Sequence, residues 1–299
     1  MLFRSVIGGG YCGLSAALHL ALKGVSVTVL DAGDIGWGAS GRNGGFCSIG
    51  ASFLGARELK DIYGEQETLA FYRALIDAVR LVEDLANDEN IDLQAQTHGI
   101  WTHAHHASRL DDLRMQAEAC RALGVDSAIV SREEFCRRGF SSVQQFGALF
   151  EPLGFGLHPL AYCLGLAQAA ERNGARLHPR SRVTSWARAS GRHELRTDAG
   201  RVTARRVIVA TNAWMPEDLV PELAGRMLPI MSNITTTEPM SSDVWKQQGF
   251  ATECPAADTR AHLTYLRRLS DGRLLLGGRG DTTGRPSGLS QRSEEHTSE

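Results

Sequence analysis

The sequence lacks a strong charge of either sign. Its 32 Lys and Arg residues and 34 Asp and Glu residues leave a formal net charge of -2 at pH 7. Nucleic acids and anionic membranes attract proteins through a strong positive field. We therefore expect neither to be the main partner. The composition, 42% hydrophobic and 22% charged, is typical of a globular protein, and 299 residues exceed what one simple core needs.

Cysteine pairs and long apolar runs are also missing. The six cysteines are widely scattered with no C-x-x-C spacing, which argues against a disulfide framework or a zinc site and favours the reducing cytoplasm. Residues 1–5 leave no room for the apolar core of a signal peptide. The longest apolar stretch, residues 14–30, contains Lys23 and Gly24, and its two periodicities indicate a helix followed by a strand rather than a membrane span.

A glycine fingerprint opens the chain. Gly8, Gly10 and Gly13 fit the pattern G-x-G-x-x-G, and the apolar residues that follow at helical spacing predict a helix. Residues 25–30 predict a strand that ends in Asp31. In such a strand–helix–strand unit the glycines let the backbone approach a pyrophosphate, the helix N-terminus attracts it, and the acid accepts hydrogen bonds from a ribose. A merely structural glycine turn is the alternative, and the unit does not distinguish NAD from FAD.

A second glycine-rich segment, residues 36–46, follows within a few residues of Asp31. Glycines cost conformational entropy on folding, so close backbone approach to a ligand is the expected gain. Ser40 and Arg42 stand among these glycines and are suited to bind phosphate oxygens. A flexible loop is the alternative. A simple nicotinamide-binding domain does not need such a run here, and the segment therefore favours FAD.

The run from Gly38 to Gly45, Gly-Ala-Ser-Gly-Arg-Asn-Gly-Gly, closely resembles the D-amino-acid oxidase-like flavoproteins, and in particular their gamma-glutamylputrescine oxidase branch. The resemblance implies that Ser40 and Arg42 lie along the pyrophosphate. It also implies that Asn43, Gly44 and Gly45 approach the isoalloxazine ring.

Two later segments extend the resemblance. A strand around residues 182–184 resembles the family segment whose backbone, here at Val183, meets the adenine. Residues 207–214 predict a buried strand that leads into a loop at the cofactor. The predicted FAD-binding residues are Gly8, Gly10, Gly13, Asp31, Ala39, Ser40, Arg42, Asn43, Gly44, Gly45, Val183 and Thr211.

The remaining patterns predict an α/β fold, in which a three-layer Rossmann-type FAD-binding domain is interleaved with an α+β substrate domain that has a mainly antiparallel sheet. Helical spacing over residues 65–88 and strands near residues 99–103, 228–230, 234–238, 263–267 and 273–278 support it. The predicted FAD-binding parts are residues 6–50 and 156–215, the predicted substrate-domain parts are residues 51–155 and 216–276, and residues 277–291 begin a return to the first domain.

Three histidines invite a metal hypothesis. His103 and His105 share one face of a predicted strand, and His106 is adjacent. No carboxylate or cysteine supports them, and exposed histidines at a strand end are the competing interpretation, so no metal site is predicted.

Both ends of the sequence look foreign. Arg4 and Ser5 stand where a central parallel strand is normally apolar. Residues 2–5 and 292–299 resemble translated sequencing adapters, and we expect native sequence only from about residue 6 to residue 291. Complete relatives carry a late glycine-rich segment that is not matched after Gly278. We therefore expect the printed chain to bind FAD weakly or to misfold.

The resemblance implies oxidation of a carbon–nitrogen bond in an amine or amino acid, with a gamma-glutamylputrescine-like amine favoured and oxygen as the acceptor that yields hydrogen peroxide. The alternatives are a dehydrogenase of the same fold that passes electrons to a carrier, an NAD-dependent dehydrogenase, and a non-catalytic fragment. No acid or base is nominated, because hydride transfer from a neutral amine needs none. His262, Tyr265 and Arg267 are possible substrate contacts, with packing of the second domain as the equal alternative.

Overall fold

The structure is a computed structural model that describes residues 4–50, 54–216, 218–227, 232–261 and 263–279. Within these residues the helices are α1 Tyr11–Leu22, α2 Ala56–Tyr63, α3 Glu65–Asp88, α4 Leu110–Ala122, α5 Arg132–Arg138, α6 Pro159–Arg172 and α7 Ser242–Gln247. The strands are β1 Arg4–Ile7, β2 Val27–Leu30, β3 Phe46–Cys47, β4 Ile100–His103, β5 Ala128–Val130, β6 Ala148–Glu151, β7 Phe155–Gly156, β8 Arg176–His178, β9 Ser185–Ala189, β10 Arg192–Thr197, β11 Gly200–Ala204, β12 Arg206–Val209, β13 Ser232–Thr236, β14 Ala256–Asp258, β15 Thr264–Arg268 and β16 Leu274–Arg279.

A parallel sheet organises the first half of the fold. Its strands lie in the order β12-β1-β2-β8. Ile7 is paired with Val209 on one side and with Leu30 on the other, so the ends of three strands are level. From β1 the chain continues to β2 on one side, whereas β12 pairs with β1 on the other side. Ligands of open α/β sheets bind at such a switch point, outside the carboxyl ends of the strands.

Two further layers cover the parallel sheet and confirm the predicted three-layer arrangement. Helices α1 and α6 pack together against one face, where Leu14, Leu18 and Leu166 are completely buried. Each fully buried leucine contributes about 1.5–3 kcal/mol. The antiparallel sheet β11-β10-β9 covers the other face through Leu195, which packs with Ile7 and other apolar residues. No pattern in the sequence predicted this three-stranded sheet.

A seven-stranded sheet forms the second half of the fold, in the order β13-β16-β15-β14-β4-β6-β5. All of its pairs are antiparallel except β14 with β4, which confirms a mainly antiparallel sheet. Its strands come from the second and fourth parts of the chain, while the parallel sheet uses the first and third. The two halves are therefore interleaved. The predicted domain boundaries stay predictions, and β16 continues three residues past the expected limit at residue 276.

Several local predictions are confirmed. The helix over residues 65–88 is α3, and Gly24 and Gly174 follow α1 and α6 with φ of 70° and 96°, the left-handed conformation expected of a C-terminal glycine. The predicted strands near residues 99–103, 263–267 and 273–278 correspond to β4, β15 and β16.

Two strand predictions are wrong. Residues 181–184 form no strand, because the chain there crosses as a loop from β8 to β9. Strand β12 was predicted to be buried, yet Arg206 is exposed and its other three residues are only half-buried. The reason is its position, since β12 is the edge strand of the described parallel sheet.

The predicted foreign ends lie mostly outside the described residues, as do residues 228–230 and His262. Ser5 and Arg4 are described, and both belong to β1. The Ser5 hydroxyl is completely buried and has no hydrogen-bond partner among the described residues, and the same holds for Nη1 of Arg4. Burying a polar group without a hydrogen-bond partner costs free energy, so Arg4 and Ser5 are poorly suited to a buried strand. Among the described helices, none is both long and apolar enough to cross a membrane.

Candidate cofactor site

A cavity of about 340 Å³ opens at the carboxyl ends of β1, β2 and β12. This is the switch point of the parallel sheet. Seven of the predicted FAD-binding residues line it, namely Gly8, Gly10, Asp31, Ala39, Ser40, Val183 and Thr211. The structure thus brings together segments as far apart in the sequence as Gly8 and Thr211.

At two of the three fingerprint glycines, Gly8 and Gly13, neighbouring backbone atoms lie too close for a side chain. A Cβ on Gly13 would lie 1.9 Å from the carbonyl oxygen of Gly8, so only glycine lets α1 pack this closely against the loop. Gly8 has φ of 111°, and a Cβ there would lie 2.4 Å from the carbonyl oxygen of Ala210. These contacts keep the loop bare and open to a ligand.

The N-terminus of α1 faces this loop and is capped by a residue from the second glycine-rich segment. Gly10 is the N-cap residue and has no side chain to offer. The backbone N–H of Tyr11 donates to Oγ of Ser40 over 3.0 Å. A hydroxyl that accepts this bond still has its own hydrogen to donate. Ser40 therefore links the two glycine-rich segments and presents a donor beside the positive end of the helix.

Asp31 connects the ends of β1 and β2. One carboxylate oxygen accepts the N–H of Gly9 over 2.5 Å, and the other accepts the N–H of Gly33 over 2.7 Å. Each oxygen retains a further lone pair for a ligand hydroxyl. The carboxylate is held by backbone donors at the wall of the cavity, which is where an acceptor for a ribose is expected.

The family model described as "DAO: FAD dependent oxidoreductase" matches residues 5–298. The chain belongs to this DAO family of FAD-dependent oxidoreductases. The gamma-glutamylputrescine oxidoreductase of Escherichia coli is 34% identical over 273 residues, which are 91% of this chain and 63% of that protein. The chain thus spans less than two thirds of the length of this curated relative.

Solved structures show the same fold. The L-proline dehydrogenase from P. horikoshii superposes with a TM-score of 0.74 at 20% identity, covering 99% of this chain and 75% of that one. The glycine oxidase from Geobacillus kaustophilus gives a TM-score of 0.71 at 22% identity, covering 97% of this chain and 75% of that one. At these identities the likeness extends to the fold alone.

FAD is the cofactor of the DAO family, and the residues of the cavity fit its adenosine diphosphate part. The bare glycine loop leaves room for a diphosphate at the helix N-terminus, and Ser40 adds a donor there. Asp31 would supply an acceptor for the ribose. Val183 is buried next to Ile7 and Leu30 and provides an apolar wall for a base.

Arg42 does not line the cavity in this structure. Its side chain is exposed, and its Nε donates to the carbonyl oxygen of Trp37 over 2.6 Å. Its guanidinium carbon lies 5.5 Å from the centre of the Trp37 ring. The expected contact between Arg42 and the pyrophosphate stays a prediction.

Asn43 holds the second glycine-rich segment in shape. Its side-chain NH₂ donates to the carbonyl oxygens of Ala39 and Ser40, over 3.2 and 3.0 Å. Its Oδ1 accepts the N–H of Gly45 over 2.8 Å. The side chain is thereby engaged within the loop, and its expected approach to the isoalloxazine ring stays a prediction.

Gly44 and Gly45 contact the seven-stranded sheet rather than the cavity. A Cβ on Gly44 would lie 2.7 Å from the ring of Tyr265. Nη1 of Arg267 donates to the carbonyl oxygens of Gly45 and Leu157, over 3.0 and 2.8 Å. Arg267 is only 4% exposed, and burial lowers its pKa to about 10. Its contacts with described residues indicate a structural role, in which it holds two backbone segments together.

The structure adds cavity residues that were not predicted as ligands. The most prominent are Trp37 and Trp214, whose rings lie 5.5 Å apart at the wall of the cavity. Arg182 and Asn212 also line it. Each lies within one or two positions of a predicted FAD-binding residue, or within residues 36–46 or 207–214. Their proximity in sequence to predicted residues could therefore have identified them. Whether a neighbour faces the cavity depends on the loop conformation.

The three histidines of the metal hypothesis have separate environments. His103 is buried between Phe135 and Phe140, so the expectation that it is exposed is wrong. His105 bonds to Oγ1 of Thr259 over 2.8 Å, and His106 bonds to the Ser108 hydroxyl. In the described part of the chain, no group of three or more His, Cys, Asp or Glu side chains is arranged to hold a metal ion.

Proposed function

We propose that the protein containing this chain is an FAD-dependent oxidase that breaks a carbon–nitrogen bond of an amine or amino acid. The observation that carries the proposal is the meeting of the glycine loop, Asp31 and Ser40 at the N-terminus of α1 in one cavity. Membership in the DAO family supplies the reaction class.

The residues of this chain bind and orient the cofactor. The N–H groups at the start of α1 and the Ser40 hydroxyl hold the diphosphate, and Asp31 accepts hydrogen bonds from the ribose. Bound FAD would supply the acceptor for a hydride from the carbon that carries the nitrogen, with oxygen as the final two-electron acceptor that yields hydrogen peroxide. The nitrogen loses a proton, and water then converts the imine to a carbonyl compound and an amine or ammonia.

A gamma-glutamylputrescine-like amine is the favoured substrate. The support is the 34% identity to the gamma-glutamylputrescine oxidoreductase, which exceeds the 27% identity to the glycine oxidase from Geobacillus kaustophilus. We also propose a cytoplasmic location, because all six cysteines are free thiols.

The test is a substrate panel on the protein loaded with FAD. Gamma-glutamylputrescine, putrescine, glycine, sarcosine and D-alanine are compared by kcat/KM while oxygen uptake and peroxide are recorded. We expect the highest kcat/KM for the gamma-glutamyl amine and one peroxide for each substrate molecule oxidised.

Turnover with an artificial electron acceptor but without peroxide would show a dehydrogenase instead. A preference for glycine or sarcosine would contradict the proposed substrate class. A purified full-length protein that contains this chain and binds no FAD would contradict the whole proposal.

A further inference from the structure

Two tryptophans stand over the end of β1, where the glycine loop begins. Trp37 comes from the segment that follows β2, and Trp214 ends the short 3-10 helix Asn212–Trp214 that follows β12. In the sheet, β2 and β12 lie on opposite sides of β1. The two rings, 5.5 Å apart with an interplanar angle of 62°, therefore bridge the cavity from one side to the other.

Both rings line the cavity and are nevertheless exposed. Trp37 is 52% exposed and Trp214 is 59% exposed. Large apolar side chains left in water at the mouth of a cavity gain free energy when a ligand covers them. An edge-to-face aromatic pair adds a favourable contact of its own. The pair is thus suited to close over a bound molecule.

Neighbouring residues hold both rings in position. Arg42 bonds to the backbone oxygen of Trp37 and lies against its ring. Asn212 adopts φ of 51°, and its side chain accepts the N–H of Ala213 over 2.7 Å, which shapes the turn that carries Trp214. Trp37 itself stands between Gly36 and Gly38, of which Gly36 has φ of 75°. Glycine adopts this left-handed conformation readily, so Gly36 allows the turn that carries Trp37.

We propose that Trp37 and Trp214 form an aromatic gate over the adenosine diphosphate part of FAD and determine how slowly the cofactor leaves. The proposal rests on the proposed function, because its ligand is FAD. Asp31, Ser40 and the glycine loop belong to the same cavity as the two rings, whereas Asn43, Gly44 and Gly45 do not line it. The part of the cofactor beneath the gate is therefore the ribose and diphosphate part.

The test measures FAD release from the loaded protein by flavin fluorescence after dilution. We expect Trp37→Ala and Trp214→Ala each to raise the dissociation rate about tenfold, which corresponds to about 1.4 kcal/mol at 25 °C. Association is expected to change by less than about threefold, since affinity differences between close variants are mostly differences in release. The double variant should fall short of the product of the two effects, because the rings act as a pair.

Two sets of variants serve as controls. Trp37→Phe and Trp214→Phe keep an aromatic ring and are expected to stay within about threefold of the wild type, which keeps the test valid if an alanine variant fails to fold. Tyr63→Ala removes an equally exposed ring on α2, which lies outside the cavity, and is expected to change nothing.

A second readout needs no flavin. Trp101 and Trp245 are buried and Trp186 is half-buried, so acrylamide quenches mainly the fluorescence of Trp37 and Trp214. Saturating ADP is expected to lower this quenching.

Normal FAD binding with unchanged release rates in the alanine variants would overturn the gate alone, as would unchanged acrylamide quenching at saturating ADP. A full-length wild-type protein that contains this chain and binds no FAD would overturn the proposed function and the gate with it.

Discussion

At the scale of single residues, Asp31 has two tasks in the candidate site. Its carboxylate accepts N–H groups from the glycine loop and from the loop after β2, and so fixes both loops relative to each other. It also forms part of the cavity wall where a ribose is expected. Removing its charge therefore affects the loops and the ligand together.

We predict that Asp31→Asn weakens FAD binding by about tenfold to a hundredfold. A hydrogen bond to a charged group contributes about 1.5–3 kcal/mol, and an amide offers one acceptor oxygen where the carboxylate offers two. The measurement is the FAD dissociation constant from isothermal titration calorimetry. Asp34→Asn is the control, because Asp34 lies on the same loop but pairs with Arg180 at the surface. Equal weakening in both variants would show that the loop as a whole, and not Asp31, is responsible.

The burial of His103 makes the stability of the protein depend on pH. It is buried beside Phe135 and Phe140, and burial lowers its pKa from 6.5 to about 4. The nearby carboxylate of Asp258 acts in the opposite direction and raises the pKa, while Arg260 and His105 lower it further. The folded protein therefore prefers the neutral imidazole.

We predict that the free energy of unfolding falls as the pH is lowered from about 6.5 to about 4. The unfolded chain binds the proton at the higher pH, so stability is complete above that range and is lost within it. For this one group the loss amounts to about 3 kcal/mol. Urea unfolding between pH 4 and pH 7 checks the prediction. His103→Phe should flatten the pH dependence, whereas His106→Gln, at an exposed position nearby, should leave it unchanged.

At the scale of elements, the contact between α1 and the glycine loop decides whether the site can form. The helix is anchored by buried leucines, and the absence of a side chain at Gly13 lets it lie close to the glycine loop. The space at Gly13 is limited by backbone atoms, which cannot move aside as a flexible side chain can.

We predict that Gly13→Ala destabilises the fold by about 1–3 kcal/mol or more and abolishes FAD binding. The added Cβ would lie 1.9 Å from the Gly8 carbonyl oxygen, so the helix must shift away from the loop. Gly200→Ala in β11 is the matched control, since no atom lies within 4 Å of its added Cβ. Thermal unfolding and FAD titration of both variants provide the measurement. A Gly13→Ala protein that unfolds like the wild type would contradict the packing seen here.

At the scale of the whole molecule, Arg267 joins the two interleaved halves. It belongs to β15 of the seven-stranded sheet, and it bonds to carbonyl oxygens on both sides of the β3–β7 pair. Its Nε is buried and has no partner among the described residues. Such a buried cation costs free energy, which its two strong hydrogen bonds offset.

We predict that Arg267→Met lowers the free energy of unfolding by about 2–5 kcal/mol, because two buried carbonyl groups lose their donor. Arg267→Lys should recover part of the loss. Arg268→Met is the matched control on the next residue of β15, where the side chain lies over Trp245 instead. Urea unfolding followed by both far-ultraviolet and tryptophan signals measures the effect. Coincident and unchanged transitions in Arg267→Met would contradict a role in joining the halves.

Some of this protein is determined by the sequence alone. The glycine fingerprint, the helix after it and Asp31 follow from local spacing, because helix and turn preferences act over a few residues. The same holds for the terminating glycines of α1 and α6. The second glycine-rich segment was sufficient to predict FAD, and membership in the DAO family confirms the cofactor.

Only the tertiary structure decided the rest, because these features depend on contacts between distant segments. The bond from Tyr11 to Ser40, the clamp by Arg267 and the pairing of Trp37 with Trp214 have no local signal. The burial of His103 depends on Phe135 and Phe140 from another part of the chain. The sheet β11-β10-β9 was missed because its exposed, charged strands lack the apolar alternation by which strands are predicted. The loop at Val183 was mistaken for a strand, because its course between β8 and β9 depends on distant contacts.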